Sequence, residues 1–443
     1  MEVIRPRLPK GMRDILPRQM VLRQRVLGIV EEVFAEFGFE PLITPAAELA
    51  EILLGKYGTE AEKLIFMVQH PGGKEELALR YDLSVPLSRV VAQYPDLPKP
   101  FRRYQIAPVW RAERPQKGRY REFWQCDADI VGSSSMLADA EIVALVYTVL
   151  RRLGFQQFVT VINNRKILAG IGQYSGVPEA QLPGLYRAID KLERIGISGV
   201  RDELREGGFN APTVDRLCQL LWPAGGAQAT LDDLRRELAD FAIALEGIAE
   251  LEELLGYLPA LGVESGFYRV DLAMVRGLDY YTGPIYETVV EKPRIGSITG
   301  GGRFDGLVGR FSTQSYPATG TTIGIERIID VMEELRMFPP GETLVEVLVT
   351  VFSAELLTES LKLLTDLRDS GLRCELYYGT EPLGTQIRYA LKKGIPFLAI
   401  MGPDELASDE VAVRELGTKS QTQVARAGVG DFLREQLDRQ GAA

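Results

Sequence analysis

FRRYQIAPVWRAERPQKGRYREFWQCDADIV, residues 101–131, reads as a strand, a cationic loop and a second strand. YQIAPVWR (104–111) is rich in aromatic and β-branched residues, the composition of a pleated, half-buried surface. ERPQKGR (113–119) carries Pro115 and Gly118 and reads as a loop. EFWQCDADIV (122–131) alternates with period two: Phe123, Gln125, Asp127 and Asp129 share one face, and Trp124, Cys126, Ala128 and Ile130 the other. The second face suits a core. The first offers an aromatic ring and three polar groups, and buried polar groups need partners, so a polar ligand is expected over it.

Between Lys99 and Arg121 lie eight cations (Lys99, Arg102, Arg103, Arg111, Arg114, Lys117, Arg119, Arg121) and one acid, Glu113. The whole chain is acidic, with a formal charge of −10. Clustered arginines on such a chain point to a polyanionic ligand, because forked guanidiniums pair with phosphate oxygens two at a time. The alternative is a solvated basic face.

Working outward, 443 residues are too many for one ordinary domain, so two or three are expected. A hydrophobic share of 46% and a charged share of 25% fit a soluble globular chain. No apolar run approaches the roughly 20 residues of a membrane helix. MEVIRPRLPKGMRDILP lacks an apolar signal core, which makes a cytoplasmic location the expectation. The three cysteines are widely spaced and suggest neither a zinc site nor a disulfide framework. His70 is the single histidine and sits in the loop-like QHPGGKEE. Chemistry therefore falls to Arg, Asp, Glu, Gln and Tyr, with any metal brought in by substrate phosphates, as magnesium usually is.

Leu22, Val26, Val30, Val33, Phe34 and Phe37 repeat at helical spacing and predict a helix over 19–37. FEPLITPAAE (39–48) reads as an extended edge or interface segment. LALRYDLSVPLSRVVA (77–92) begins as a strand, with Arg80, Asp82 and Ser84 on one face, and turns helical after Pro86. From about 165 to 258 the chain is helical and charged, like an inserted domain. Strand character returns at 267–291. PPGE (339–342) signals a linker, beyond which strands and helices alternate as in a small α/β domain.

GGGRFDGL (300–307) matches neither a P-loop nor the dinucleotide-binding glycine pattern. Its glycines serve either a close approach to a ligand or a turn. RGLDYYTG (276–283) sets an arginine beside two tyrosines. Arg111, Arg119, Arg276 and Arg327 would suit a triphosphate if they converged.

The order of these segments resembles that of the class II aminoacyl-tRNA synthetases, and specifically the histidyl-tRNA synthetases. FEPLITP, with Pro45, looks like motif 1, RAERPQKGRYREFWQ like motif 2 and TTIGIERI like motif 3, while RGLDYY resembles a signature peculiar to the histidyl family and its paralogues. The resemblance implies an α+β catalytic domain, an antiparallel sheet flanked by helices. A helical insertion and a C-terminal α/β anticodon-binding domain accompany it. The boundaries expected are 1–164 and 261–338 for the catalytic core, 165–260 for the insertion and 343–443 for the anticodon domain.

The resemblance also implies an ATP-dependent histidine–tRNA ligase. Arg111 would meet the α-phosphate of ATP, Arg119 and Arg327 the outer phosphates, and Phe123 would stack on adenine. Arg276 would lie by the α-phosphate and the histidine carboxylate. Asp82, Ser84 and Gln125 would hold the amino and carboxylate ends of L-histidine; Asp129 and Tyr281, beside Tyr280, would hold its imidazole. Arg114 and Gln116 would meet the acceptor end of the histidine tRNA. Magnesium would arrive with the phosphates, and the chain would form a homodimer through motif 1. Ala112 and Phe304 depart from the family's usual residues. The runner-up is the non-catalytic paralogue, the regulatory subunit of ATP phosphoribosyltransferase, which generally lacks the C-terminal domain.

Overall fold

The computed structural model describes residues 4–55, 62–116, 118–222, 230–275, 280–338 and 343–441. The chain divides into two compact units, one of Met1–Asp14 and Arg25–Met337, the other of Ile15–Gln24 and Phe338–Ala443. Arg276, Lys117 and the PPGE segment lie outside the described residues.

The strands of the first unit are β1 (Glu40–Pro41), β2 (Ala47–Leu49), β3 (Met67–Val68), β4 (Leu77–Leu79), β5 (Phe101–Trp110) and β6 (Glu122–Val131). They continue with β7 (Val159–Asn164), β8 (Tyr268–Val270), β9 (Pro284–Val289), β10 (Thr299–Arg303) and β11 (Ala318–Ile323). Eight of them form one sheet in the order β1-β5-β6-β11-β10-β9-β7-β8. β5 and β6 pair antiparallel without a break, from Phe101 opposite Val131 to Trp110 opposite Glu122. The centre of the sheet is antiparallel, but β1 joins β5, and β8 joins β7, in parallel. The FEPLITP segment therefore edges the sheet alongside β5.

The core face of β6 is as the alternation requires: Cys126, Ala128 and Ile130 are buried. Trp124 departs from it, being half-buried and on the rim of the cavity described below. The helix Met136–Arg152 covers this core, capped at its start by the Ser135 side chain and ending on Arg151 and Arg152, which favour the helix C-terminus. The helix Pro17–Glu36 buries Val26, Val30, Val33 and Phe34, and Tyr104 of β5 donates to Glu31 on it at 2.8 Å.

LALRYDLSVP differs from its expected reading. The strand ends at Leu79 and belongs to a separate three-stranded sheet, β2-β4-β3. Arg80 turns into the protein and donates to the carbonyls of Thr44 (2.7 Å) and Pro108 (2.9 Å). The helix starts at Ser84, with Pro86 in its first turn, where a missing N–H costs nothing. The glycine run forms strand β10 rather than a turn.

Residues 165–258 form six α-helices among the described residues, from Arg165–Ser175 to Ala242–Tyr257. The second unit carries β12 (Val347–Val349), β13 (Cys374–Leu376), β14 (Phe397–Ile400), β15 (Glu410–Glu415) and β16 (Gln421–Ala425) in the order β13-β12-β14-β15-β16. Its first three strands are parallel and the last two antiparallel, with helices between them.

Candidate active site

The polar face of β6 floors a cavity of about 700 Å³. It is lined by Asp82, Ser84, Arg111, Gln116, Arg119, Phe123, Gln125, Asp129, Tyr280, Tyr281 and Arg327, eleven of the residues expected from the sequence. Arg114 is exposed and does not line it. His70 is exposed in a turn, away from it.

Three arginines gather at one part of the wall. The Arg111 guanidinium lies 4.3 Å from the centre of the Tyr81 ring and 5.2 Å from that of Phe123, and Nε donates to the Tyr81 carbonyl at 3.1 Å. Flanking rings hold a guanidinium flat while leaving its outer donors for a ligand. Arg119 pairs with Glu113 at 3.0 Å and remains half-exposed. Arg327, at the start of the helix Ile325–Glu334, donates to the Ser297 carbonyl. Burial, and then the neighbouring Arg119 and Arg111 charges, lower its pKa. Mutual repulsion of this kind is relieved by an anion.

The cations of the 99–121 run that lie among the described residues do not form one patch. Successive residues of a strand point to opposite faces. Arg102 pairs with Glu141 and donates to the Phe37 carbonyl at 2.9 Å. Arg103 points into the polar face and pairs with Asp129 at 2.8 Å, both side chains being almost wholly buried. Arg121 donates to the Glu113 carbonyl and so braces the loop from within.

Acids gather at the other part of the floor. Asp82 caps the helix Ser84–Gln93 through the Val85 N–H at 3.0 Å and accepts from the Tyr280 hydroxyl at 3.3 Å. Asp127 and Asp129 are both buried, and burial raises both pKa values, Asp127 also through the charge of Asp129 and Asp129 against the pull of Arg103. Oε1 of Gln125, Oδ1 of Asp127 and Oδ2 of Asp129 have no hydrogen-bond partner among the described residues. Gln125 Nε2 donates to Thr322 at 3.2 Å. Burial first, then Asp127, Asp129 and Asp82, raises the Tyr281 hydroxyl far above its ordinary pKa, so it stays protonated.

Glycines make the room. Gly320 stands opposite Asp129, and a Cβ there would meet the Asp129 carboxylate oxygen at 2.0 Å. A Cβ on Gly301 would meet the Gly320 carbonyl at 2.1 Å. The glycine-rich stretch thus serves close approach of strand to strand beneath the cavity. Phe304 is buried against Tyr280, with ring centres 5.9 Å apart.

Sequence reasoning placed Asp127 on the correct face but gave it no role, and it missed Tyr81, Glu113, Glu287 and Thr322 on the wall. Alternation along β6 marks Asp127; the others come from separate elements, and no local pattern joins them.

The chain matches the family model for histidyl-tRNA synthetase over residues 11–328 and that for an anticodon binding domain over residues 346–436. It is 42% identical to a histidine–tRNA ligase of Gloeobacter violaceus, covering 96% of this chain and 98% of that one. It is 46% identical to one of Aeropyrum pernix, covering 90% and 91%. The crystal structure of histidyl-tRNA synthetase from a Nostoc species superposes with a TM-score of 0.85 at 31% identity, covering 98% of this chain and all of that one. With a cationic wall and an acidic floor in one cavity, and likeness along nearly its whole length, the chain belongs to the histidyl-tRNA synthetase family.

Proposed function

We propose that this chain activates histidine with ATP to histidyl-adenylate and transfers the histidyl group to the 3′ end of the histidine tRNA. The observation that carries this is the meeting, in one cavity, of Arg111, Arg119 and Arg327 with Asp82, Asp127 and Asp129. The first set suits a triphosphate. The second suits an ammonium and a ring N–H, since a buried carboxylate needs a cation or a donor.

Activation needs the histidine carboxylate held in line with the α-phosphorus, which is positioning. Arg111 takes the α-phosphate, Arg119 and Arg327 the outer phosphates, and Phe123 stacks on adenine. Charge that builds on the non-bridging oxygens is met by these guanidiniums, with Arg276 as a further cation there. Asp82, Ser84 and Gln125 hold the amino and carboxylate ends, and Asp129 and Tyr281 the ring. No group of three or more metal-ligating side chains occurs among the described residues, so magnesium is proposed to enter on the ATP phosphates.

Gln116 and Arg119, which flank the loop tip, exchange both backbone hydrogen bonds, at 3.0 and 2.9 Å. That tip, with the exposed Arg114, is proposed to meet the acceptor end of the tRNA, and residues 343–443 its anticodon. The match over 346–436 supports this over the regulatory-subunit reading. A homodimer would bury the exposed Ile43, 82% accessible, in the motif 1 segment. No helix among the described residues is long and apolar enough to cross a membrane, and a cytoplasmic place is proposed. The test is aminoacylation: labelled histidine should become acid-precipitable on the histidine tRNA and not on other tRNAs. Labelling of no tRNA would overturn the reading.

A further inference from the structure

Among the described residues of the cavity floor, Gln125 Oε1, Asp127 Oδ1 and Asp129 Oδ2 are buried without a hydrogen-bond partner, and Asp129 Oδ2 is ion-paired with Arg103. Asp127 lies between Gln125 and Asp129 on the ligand face of β6, about 7 Å from each at the rise of a strand. It is 3% exposed; its carboxylate is hydrogen-bonded to Thr322, while its Oδ1 has no partner among the described residues. The other two acids of the floor are engaged. Asp82 caps a helix and accepts from Tyr280, and Asp129 is paired with Arg103. A buried carboxylate oxygen left unbonded is costly, and a ligand that completes it removes that cost.

The charged and titratable groups around Asp127 come from four elements. Asp129 is on its own strand. Arg103 is on β5 and committed to Asp129. Arg80 and Asp82 lie after β4, and Arg80 directs its donors to the carbonyls of Thr44, Pro45 and Pro108. Tyr281 precedes β9, and Asp127 is the acid that acts on it most strongly. Thr322 of β11 faces Asp127 in register. Asp127 thus shares the Tyr281–Asp129 end of the cavity, the end assigned to the imidazole under Proposed function, on which this inference rests.

We infer that Asp127 is a specificity residue that shares one proton with a ring nitrogen of histidine. Asp129 and Asp127 then read the two nitrogens of the ring, which only an imidazole presents at that spacing. Burial and Asp129 raise the Asp127 pKa, so around neutrality the empty site carries the proton and neutral histidine accepts it. The bond that forms is carboxyl to ring nitrogen, and no proton is exchanged with solvent. Above the raised pKa of Asp127, both partners have lost the proton, and binding must take one up. Histidine affinity should then fall about tenfold for each pH unit.

The test is ATP–pyrophosphate exchange of the full chain, with histidine KM and ATP KM measured from about pH 6 to 9.5. The wild-type histidine KM should be level near neutrality and climb at the alkaline end. Asp127→Asn should raise the histidine KM about 10- to 100-fold near neutrality, leave the ATP KM within about twofold, and keep only the alkaline climb that loss of the histidine α-ammonium proton causes in both proteins. With 1,2,4-triazole-3-alanine, whose ring is a weaker base, the wild type should favour histidine by a factor at least about tenfold larger than Asp127→Asn does. A wild-type histidine KM that climbs no further by pH 9.5 than loss of the α-ammonium proton requires overturns the inference whether or not the variant folds. So do equal changes of both KM values in Asp127→Asn. If exchange in the wild type is histidine-dependent, those outcomes sink Asp127 alone; if it is not, the proposed function falls with it.

Discussion

Asp139 and Arg303 lie beneath the cavity floor, 0% and 2% exposed, paired with each other. Arg303 also donates to the carbonyls of Ser133 (2.9 Å) and Ser135 (3.1 Å). Asp139 accepts from Thr319 at 2.7 Å, and Thr319 meets the Tyr286 hydroxyl at 2.6 Å. The network braces β9, β10 and β11 from behind. Burial outweighs Arg303 and pushes the Asp139 carboxyl up to about 6. An acid whose folded pKa is raised stabilises the fold fully below its ordinary value near 4, and that contribution is lost as pH rises through about 6. Asp139→Asn keeps an acceptor but does not titrate. It should therefore gain on the wild type between about pH 4 and 6, by up to about 3 kcal/mol, and hold the gain above that. Denaturant melts at pH 4, 5, 6 and 7 give the difference; one that does not change with pH would contradict it. At this scale the sequence shows which face a residue takes and not what it meets there. Arg102 and Arg103 look alike as two members of a basic run. Their partners, Glu141 and Asp129, lie far along the chain on opposite sides of the sheet.

Among elements, the N-terminal segment around Gly11 and Arg13 carries a role that composition does not suggest. The Gly11 carbonyl accepts from Arg121 N–H at 2.8 Å. Gly11 has φ +84°, and a Cβ would meet Pro115 at 2.7 Å. The Arg13 guanidinium sits 3.8 Å from the centre of the Tyr120 ring and pairs with Glu326, which also accepts from the Trp124 N–H at 3.3 Å. One segment thus ties the base of the cationic loop to the start of β6 and to the helix Ile325–Glu334. Loss of a cation–π contact and a half-buried ion pair is on the order of 1–2 kcal/mol. Arg13→Ala should raise the ATP KM about fivefold to tenfold, leave the histidine KM unchanged, and speed tryptic cleavage within 114–121. Cleavage and both KM values at wild-type levels would show that the segment positions nothing. β5 and β6 were legible because ten-residue alternation flanks a Pro- and Gly-marked loop. β16, QTQVA, was not: it is almost wholly exposed and has no apolar face to announce it. The parallel joining of β1 was hidden too, since a two-residue strand has no period.

For the whole molecule, the division after Met337 falls close to the PPGE signal, and the second unit has its own buried core, including Val347, Val349, Phe397, Val411 and Leu433. A chain ending at Pro340 should keep histidine-dependent exchange within about tenfold of the full chain and lose tRNA charging by a much larger factor. Charging at the full-length rate would remove the anticodon role from residues 343–443, and the solution mass must be read beside it to detect a lost partner. The alternation of strand and helix made this unit legible, whereas convergence of the cavity was not, because it joins residues from 81 to 327. The most direct measurement is incorporation of labelled pyrophosphate into ATP by the full chain, with each of the twenty amino acids in turn. Exchange with histidine, at least about a hundredfold above every other amino acid, is the expected result. No exchange with histidine, or equal exchange with another amino acid, would contradict the account.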